Sequence, residues 1–465
     1  MKIPDLKKIA LISILILTII GLNAIAPSES TIPQRFLASF IIMLGCIPTF
    51  FHIWKKETGI PFLPLFGAIY GVYYGLPVFI LKDYTVIQWV SPPSGDSLVT
   101  ALLLATIGLV MLFFAYYKIP GKSVAKLVPK VSIYWSVAKA KFWAVILGVL
   151  GLIFSYLLLS IKIPAQLAQI VLFLSELLVI SIGILFILQL QGRLHKAGKI
   201  LLWMVFLPLS FLVKLGTSSI AHVLAIIIFL LLSYWYFRKK IPWKLALVAV
   251  LLFIFFSSAK TEFRSLTAKD EAYLGKNPVE RSILFTKLAF TNKEVFAKGY
   301  RLGVNRISHN LLTFAYVAET TPEIIPYWMG KSYSAILWAP IPRIIFPWKP
   351  AITLGQEFGH RYGFLYPTDY LTSYNLPQLV EMYVNFGVMG VMIGMFIMGI
   401  IYRSLYEMFC HPGAGEGGLI IGLFIFTRIS IIESDFATVF GNIGYYIILL
   451  VIVNNLIKRD DKGRA

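Results

Sequence analysis

Twelve apolar runs, each about as long as a bilayer crossing, dominate this chain. They fall near 9–26, 36–53, 62–81, 98–117, 142–161, 166–190, 200–215, 219–237, 242–258, 377–402, 417–432 and 437–457. A spanning helix needs about 17–25 residues. In lipid the backbone must satisfy its own hydrogen bonds, so such runs predict helices. Composition agrees: 58% of residues are hydrophobic and 14% charged, with mean hydropathy +0.79. A soluble domain of this size has no place to hide so much apolar surface. The expected fold is an all-α polytopic membrane protein with about 12 transmembrane helices. Runs seven and eight are short and close together, and a tight hairpin or a broken helix is the alternative there. The basic segment Met1–Lys8 before the first run imitates a signal peptide. Asn23-Ala24-Ile25-Ala26-Pro27 makes a poor cleavage site, so a retained first helix is expected. Cys46 and Cys410 have no metal-ligand or disulfide spacing.

The short loops test this layout independently. With the N-terminus cytoplasmic, the cytoplasmic segments carry 23 Lys and Arg residues and the opposite short loops only 4, namely Arg35, Lys82, Lys162 and Lys214. That alternation is what the positive-inside rule requires. Both termini are therefore expected in the cytoplasm, and the stretch 259–376 outside. This divides the chain into an N-terminal bundle of about nine helices (1–258), a large extracytoplasmic loop (259–376), and about three C-terminal helices with a tail (377–465). The net charge of +20 reads as a topology signal, and no nucleic-acid partner is expected.

Charges inside membrane helices are costly and mark function by default. Glu176, Lys214, Glu381 and Arg428 fall in apolar runs, with Glu433 and Asp435 at a helix end, and His222 and Asn385 near outer ends. Most lie in the outer half of the bundle. The plain alternative is snorkelling or internal pairing, for example Arg428 with Glu433.

Within the loop, 282–299 and 303–319 show amphipathic helical spacing. They suit either the membrane surface or a helical cap on the bundle. Ala339-Pro340-Ile341-Pro342-Arg343 and Pro347-Trp348-Lys349-Pro350 are apolar and proline-broken, suiting a segment in the lipid interface. Arg343 and Lys349 held there suit a lipid-linked phosphate or diphosphate, with anionic headgroups as the simpler partner. Gln356-Glu357-Phe358-Gly359-His360-Arg361 adds an acid, a possible base and a cation.

The order of short motifs then matters. Lys260-Thr261-Glu262-Phe263-Arg264 follows a helix. Gly330-Lys331-Ser332-Tyr333, Ile341-Pro342-Arg343 and Pro347-Trp348-Lys349-Pro350 come next. Glu381-Met382-Tyr383-Val384-Asn385-Phe386-Gly387 closes the series. From about Ser257 to Gly399 the chain resembles the O-antigen polymerase (Wzy), or oligosaccharide repeat unit polymerase, family. The resemblance implies a GT-C-like, metal-independent glycosyltransferase without cofactor, in the cytoplasmic (inner) membrane. It would join polyprenyl-diphosphate-linked oligosaccharide repeats at the outer face, with inversion and release of polyprenyl diphosphate. It implies Arg264, Arg343 and Lys349 facing diphosphate or acceptor, and Glu381 and Asn385 contacting sugar or supporting the site. Lys214 stands where many relatives carry an arginine. Glu381, Glu357 and His360 are candidates for the base, and Lys260, Arg361, Arg428 and His222 complete the candidate substrate contacts. Membrane lipids, and a chain-length regulator (polysaccharide co-polymerase), are the partners implied. An O-antigen ligase-like transferase shares carrier and topology and is the nearest alternative. A lipid-linked oligosaccharide flippase or transporter is the alternative of a different class.

Overall fold

The computed structural model describes residues 3–55, 60–87, 89–118, 123–124, 126–161, 163–216, 220–240, 242–269, 278–291, 295–411 and 413–459. Among them every regular element is a helix; the sole β-type pairing is an isolated bridge between Trp135 and Lys458. All twelve apolar runs are helical over most of their length. Seven helices among the described residues are long and apolar enough to cross a membrane, including Gly95–Tyr117, Gln166–Leu190 and Gln378–Cys410. Large apolar side chains such as Leu17, Phe142 and Met204 are mostly exposed, as they are when lipid is the neighbour. The chain is a helical, membrane-embedded protein.

In the first half, α1 (Ile3–Ala24) leads to α2 (Ile32–Trp54) and α3 (Phe62–Tyr70), which continues through a π-helical turn, Gly71–Gly75. α2 and α3 cross at Gly45 and Gly67. A Cβ on either glycine would come within 2.4 Å of the other's carbonyl oxygen, so only glycine permits this approach. α4 (Gly95–Tyr117) begins at Ser94, whose side chain accepts from the Ser97 amide, an N-cap. α5 (Val137–Ser160) packs on α6 (Ala165–Ser175) and α7 (Leu177–Leu190). α8 (Lys196–Ile200) runs through a π-helical stretch into α9 (Leu207–Gly216), and α10 is Ile220–Arg238. Runs seven and eight are thus two helices in succession.

The boundary expected at 258 is not a break. α11 (Trp243–Lys269) continues for about three turns beyond its apolar part. The polar sequence there has ordinary helix formers and no glycine or proline. α12 (Pro278–Thr291) and α13 (Val295–Thr320) replace the helices expected at 282–299 and 303–319. α13 turns its apolar stripe onto protein. It packs against α4, α11 and the Gly71–Gly75 turn, with Ser308, Asn310, Thr313, Phe314 and Val317 all fully buried. Its apolar stripe lies against protein, the packing that the bundle-cap alternative describes.

Short helices α14 (Ser334–Trp338) and α15 (Leu354–Arg361) follow. The last bundle comprises α16 (Gln378–Leu405), α17 (Gly415–Ile429), α18 (Phe436–Phe440) and α19 (Ile443–Ile457). α16 makes its most extensive contact with α4. It is kinked at Phe386 and Gly387, the latter at φ +60°. The kink frees the carbonyls of Val384 and Asn385, and these accept from the amides of Trp328 (2.9 Å) and Met329 (3.2 Å). A helix opened in a membrane needs such replacement donors.

Candidate functional site

Polar groups gather where α16 begins, α17 ends and the segment 321–376 covers the bundle. The link is the turn Ser430–Asp435, which borders three clusters.

The first stands at the head of α16. Glu381 is fully buried. Ser332 donates to its Oε1 (2.6 Å) and the Phe436 amide to its Oε2 (2.7 Å). One turn on, Asn385 Nδ2 donates to Ser332 Oγ (2.7 Å), and Gly330 N donates to Asn385 Oδ1 (2.9 Å). The network ties Gly330–Ser332 and α18 to the helix just before its kink. Every side-chain oxygen here has a donor, as burial demands.

The second cluster joins α7, α9, α10 and α17. Glu176, at the break between α6 and α7, faces Lys214 Nζ (3.1 Å) and Arg428 Nη2 (2.8 Å). The Arg428 guanidinium lies over the rings of Tyr446 (4.7 Å) and Phe424 (5.2 Å). His222 lines the same space, which holds a void of only about 10 Å³. The pairing expected between Arg428 and Glu433 does not form. Glu433 lies past the end of α17 and is taken by the third cluster, where Arg306 Nη2 donates to it at 2.8 Å and Tyr73 Oη donates as well.

The loop cations are placed differently from expectation. Lys349 is buried, and its Nζ donates to the carbonyls of Ala339 and Ile341, both at 3.0 Å. Arg343 donates to the carbonyls of Lys349 (2.7 Å) and Pro350 (3.3 Å). Together they hold the proline-broken loop in shape. Burial and the neighbouring Arg343 cation lower the Lys349 ammonium below its usual range. Glu357 pairs with Lys331 at the surface. Arg361 donates to the Pro326 carbonyl (2.5 Å) and covers the Trp328 ring, and the His360 ring lies tilted against Tyr370. Lys260 and Arg264 lie on the extension of α11, and their side chains fall outside the described residues.

Beside the first cluster runs an apolar groove of about 660 Å³ down α16. Tyr333 and Phe436 stand at its head, with Met389, Ile393 and Ile397 along its length. From Met389 to Ile401 the groove covers roughly 18 Å of helix, at about 1.5 Å per residue.

Sequence reasoning thus singled out charged or polar members of the first two clusters and Glu433 of the third, although not their pairings. It missed Arg306 and Tyr73. The available signal was the row Arg306, Asn310, Thr313 at helical spacing, a polar line within an otherwise apolar face. Among the described residues no group of three or more His, Cys, Asp or Glu side chains is arranged to hold a metal ion.

Residues 123–461 match a protein family described as a domain of unknown function (DUF8712), and the chain belongs to that family. No curated protein and no solved structure matches the chain.

Proposed function

We propose that this DUF8712 family member is a membrane glycosyltransferase of the O-antigen polymerase kind, joining polyprenyl-diphosphate-linked oligosaccharide repeats at the outer face of the cytoplasmic membrane. The observation that carries the reading is the apolar groove on α16 with a buried polar network at its head. Met389, Ile393 and Ile397 are about half exposed along it. An isoprenoid tail fits an apolar channel that opens sideways to lipid, and its diphosphate then lies at the polar end. The finer topology belongs to the same reading: about twelve crossings, GT-C-like, both termini cytoplasmic and the 259–376 segment outside. The alternation of loop charge supports it.

In this reaction an acceptor hydroxyl attacks the anomeric carbon of the growing glycan. The carbon–oxygen bond to the diphosphate breaks with inversion, and the hydroxyl proton passes to a base. Charge grows on the departing diphosphate, and fixed cations stabilise it best where water is scarce. Arg343 keeps donors beyond the two spent on loop carbonyls, and we assign it that contact. Glu381 is enclosed and fully hydrogen-bonded, which suits positioning of the groove head. Glu357 and His360, on a helix at the solvent side, are better placed for the proton.

The test is elongation of an undecaprenyl-diphosphate-linked oligosaccharide by the purified protein in lipid vesicles, with products resolved by size. A ladder spaced by one repeat is expected, absent in Arg343→Ala and weakened in Ile397→Trp, whose indole fills the groove. A folded preparation that moves the lipid-linked sugar across sealed vesicles without elongating it would overturn the assignment.

A further inference from the structure

The segment 334–350 is apolar on its outside and polar on its inside, the reverse of a soluble loop. Leu337, Ile345 and Trp348 are 74%, 74% and 76% exposed, and Ile344 is 52% exposed. Trp338 stacks on Phe346 with ring centroids 5.7 Å apart, and Phe346 meets Trp348 edge-on at 5.6 Å. Behind this face, the two cations are turned inward onto backbone carbonyls, Lys349 onto Ala339 and Ile341, and Arg343 onto Lys349 and Pro350. An irregular loop in water has no need of such partners for its carbonyls. A loop that leaves water does.

Its position agrees. Tyr445, in the first turn of α19, donates to the Pro340 carbonyl. Ala339 lies so close to Gly441 that a Cβ there would be 2.1 Å from its own. The segment therefore sits level with the end of a crossing helix, where Trp-bearing apolar surface meets headgroups and the first methylenes. Ile336 also lines the head of the α16 groove, so the exposed face is continuous with the lipid-facing surface of α16.

We propose that residues 334–350 form a lip that dips into the bilayer at the headgroup–acyl boundary, its partner being the lipid itself. The lip frames the side opening of the groove, so a lipid ligand enters laterally from the leaflet. It stands whether or not the protein transfers sugars.

The test uses the full chain with Cys46→Ser and Cys410→Ala. Single cysteines are placed at Ile345→Cys or, at a fully exposed loop site, Leu371→Cys (99% exposed). Each is labelled with bimane and reconstituted into phosphatidylethanolamine–phosphatidylglycerol vesicles. Quenching by a shallow nitroxide lipid is compared with quenching by aqueous iodide. The expected result is a lipid-to-iodide quenching ratio several-fold higher at 345 than at 371. Equal ratios at the two sites would overturn the proposal. Trp348→Cys serves as the second reporter should Ile345→Cys not yield monodisperse protein.

Discussion

His309 shows how burial in α13 sets a residue's chemistry. Its imidazole lies 3.5 Å from Tyr374 Oη, and burial pushes its pKa from 6.5 down to about 4, with Glu433 opposing and Arg306 reinforcing the shift. The folded protein binds this proton more weakly than the unfolded chain. The contribution to stability is therefore complete above pH 6.5 and is lost as pH falls from 6.5 toward 4. The shift corresponds to on the order of 3 kcal/mol at most. Thermal unfolding in detergent should drop over that window in the native chain and less steeply in His309→Gln. Equal slopes would remove His309 from the account. The buried pair in the second cluster makes a different prediction. Glu176→Gln leaves Arg428 facing no carboxylate among the described residues, a loss of about 3–5 kcal/mol. Adding Arg428→Gln should recover part of that loss, and a double-mutant cycle on unfolding measures it. Sequence showed that Glu176, Lys214 and Arg428 were unusual, because charge in an apolar run stands out. It did not show who pairs with whom. Glu176 and Arg428 are separated by some 250 positions in the chain, and only the crossing of α7 and α17 brings them together.

Helices were legible in the same measure as their periodicity. Most of the apolar runs gave the helix limits within a few residues, because length and hydropathy mark a run that must close its own backbone hydrogen bonds. Three features escaped that reading. α11 outruns its apolar part, α3 ends in a π-helical turn, and α16 bends at Gly387. The bend depends on a backbone conformation, φ +60° and ψ −143°, that side chains oppose. A Cβ at Gly387 would also sit 2.6 Å from Tyr327 Oη. Gly387→Ala should therefore cost about 1–3 kcal/mol. It should also release the amides of Trp328 and Met329, seen as faster hydrogen exchange there than in the native chain. Unchanged exchange would mean that the kink is held by its surroundings and not by the glycine.

Across the whole molecule, the three polar clusters, the groove head and the loop lie at one end of the bundle. The proposed topology turns that end outward. In the chain lacking Cys46 and Cys410, a membrane-impermeant maleimide should label Leu371→Cys in intact cells and leave Lys196→Cys untouched until the membrane is opened. The reverse pattern would invert the topology and with it the side of the chemistry. In the sequence, the loop charges support that proposed sidedness but carry nothing about contact. That α13 packs onto the bundle was left open by the sequence, since an amphipathic stripe fits a bilayer surface as well as it fits protein.

The seating of α13 also imposes an order on biosynthesis. Its neighbours α4 and α11 emerge from the ribosome before it, whereas α16 and the Glu433 that holds Arg306 are made afterwards. On the proposed topology this segment waits, exported yet undocked, until about a hundred further residues have been translated and inserted. A nascent chain arrested near residue 400 should be nicked by added protease within 278–320, and one released past residue 440 should resist.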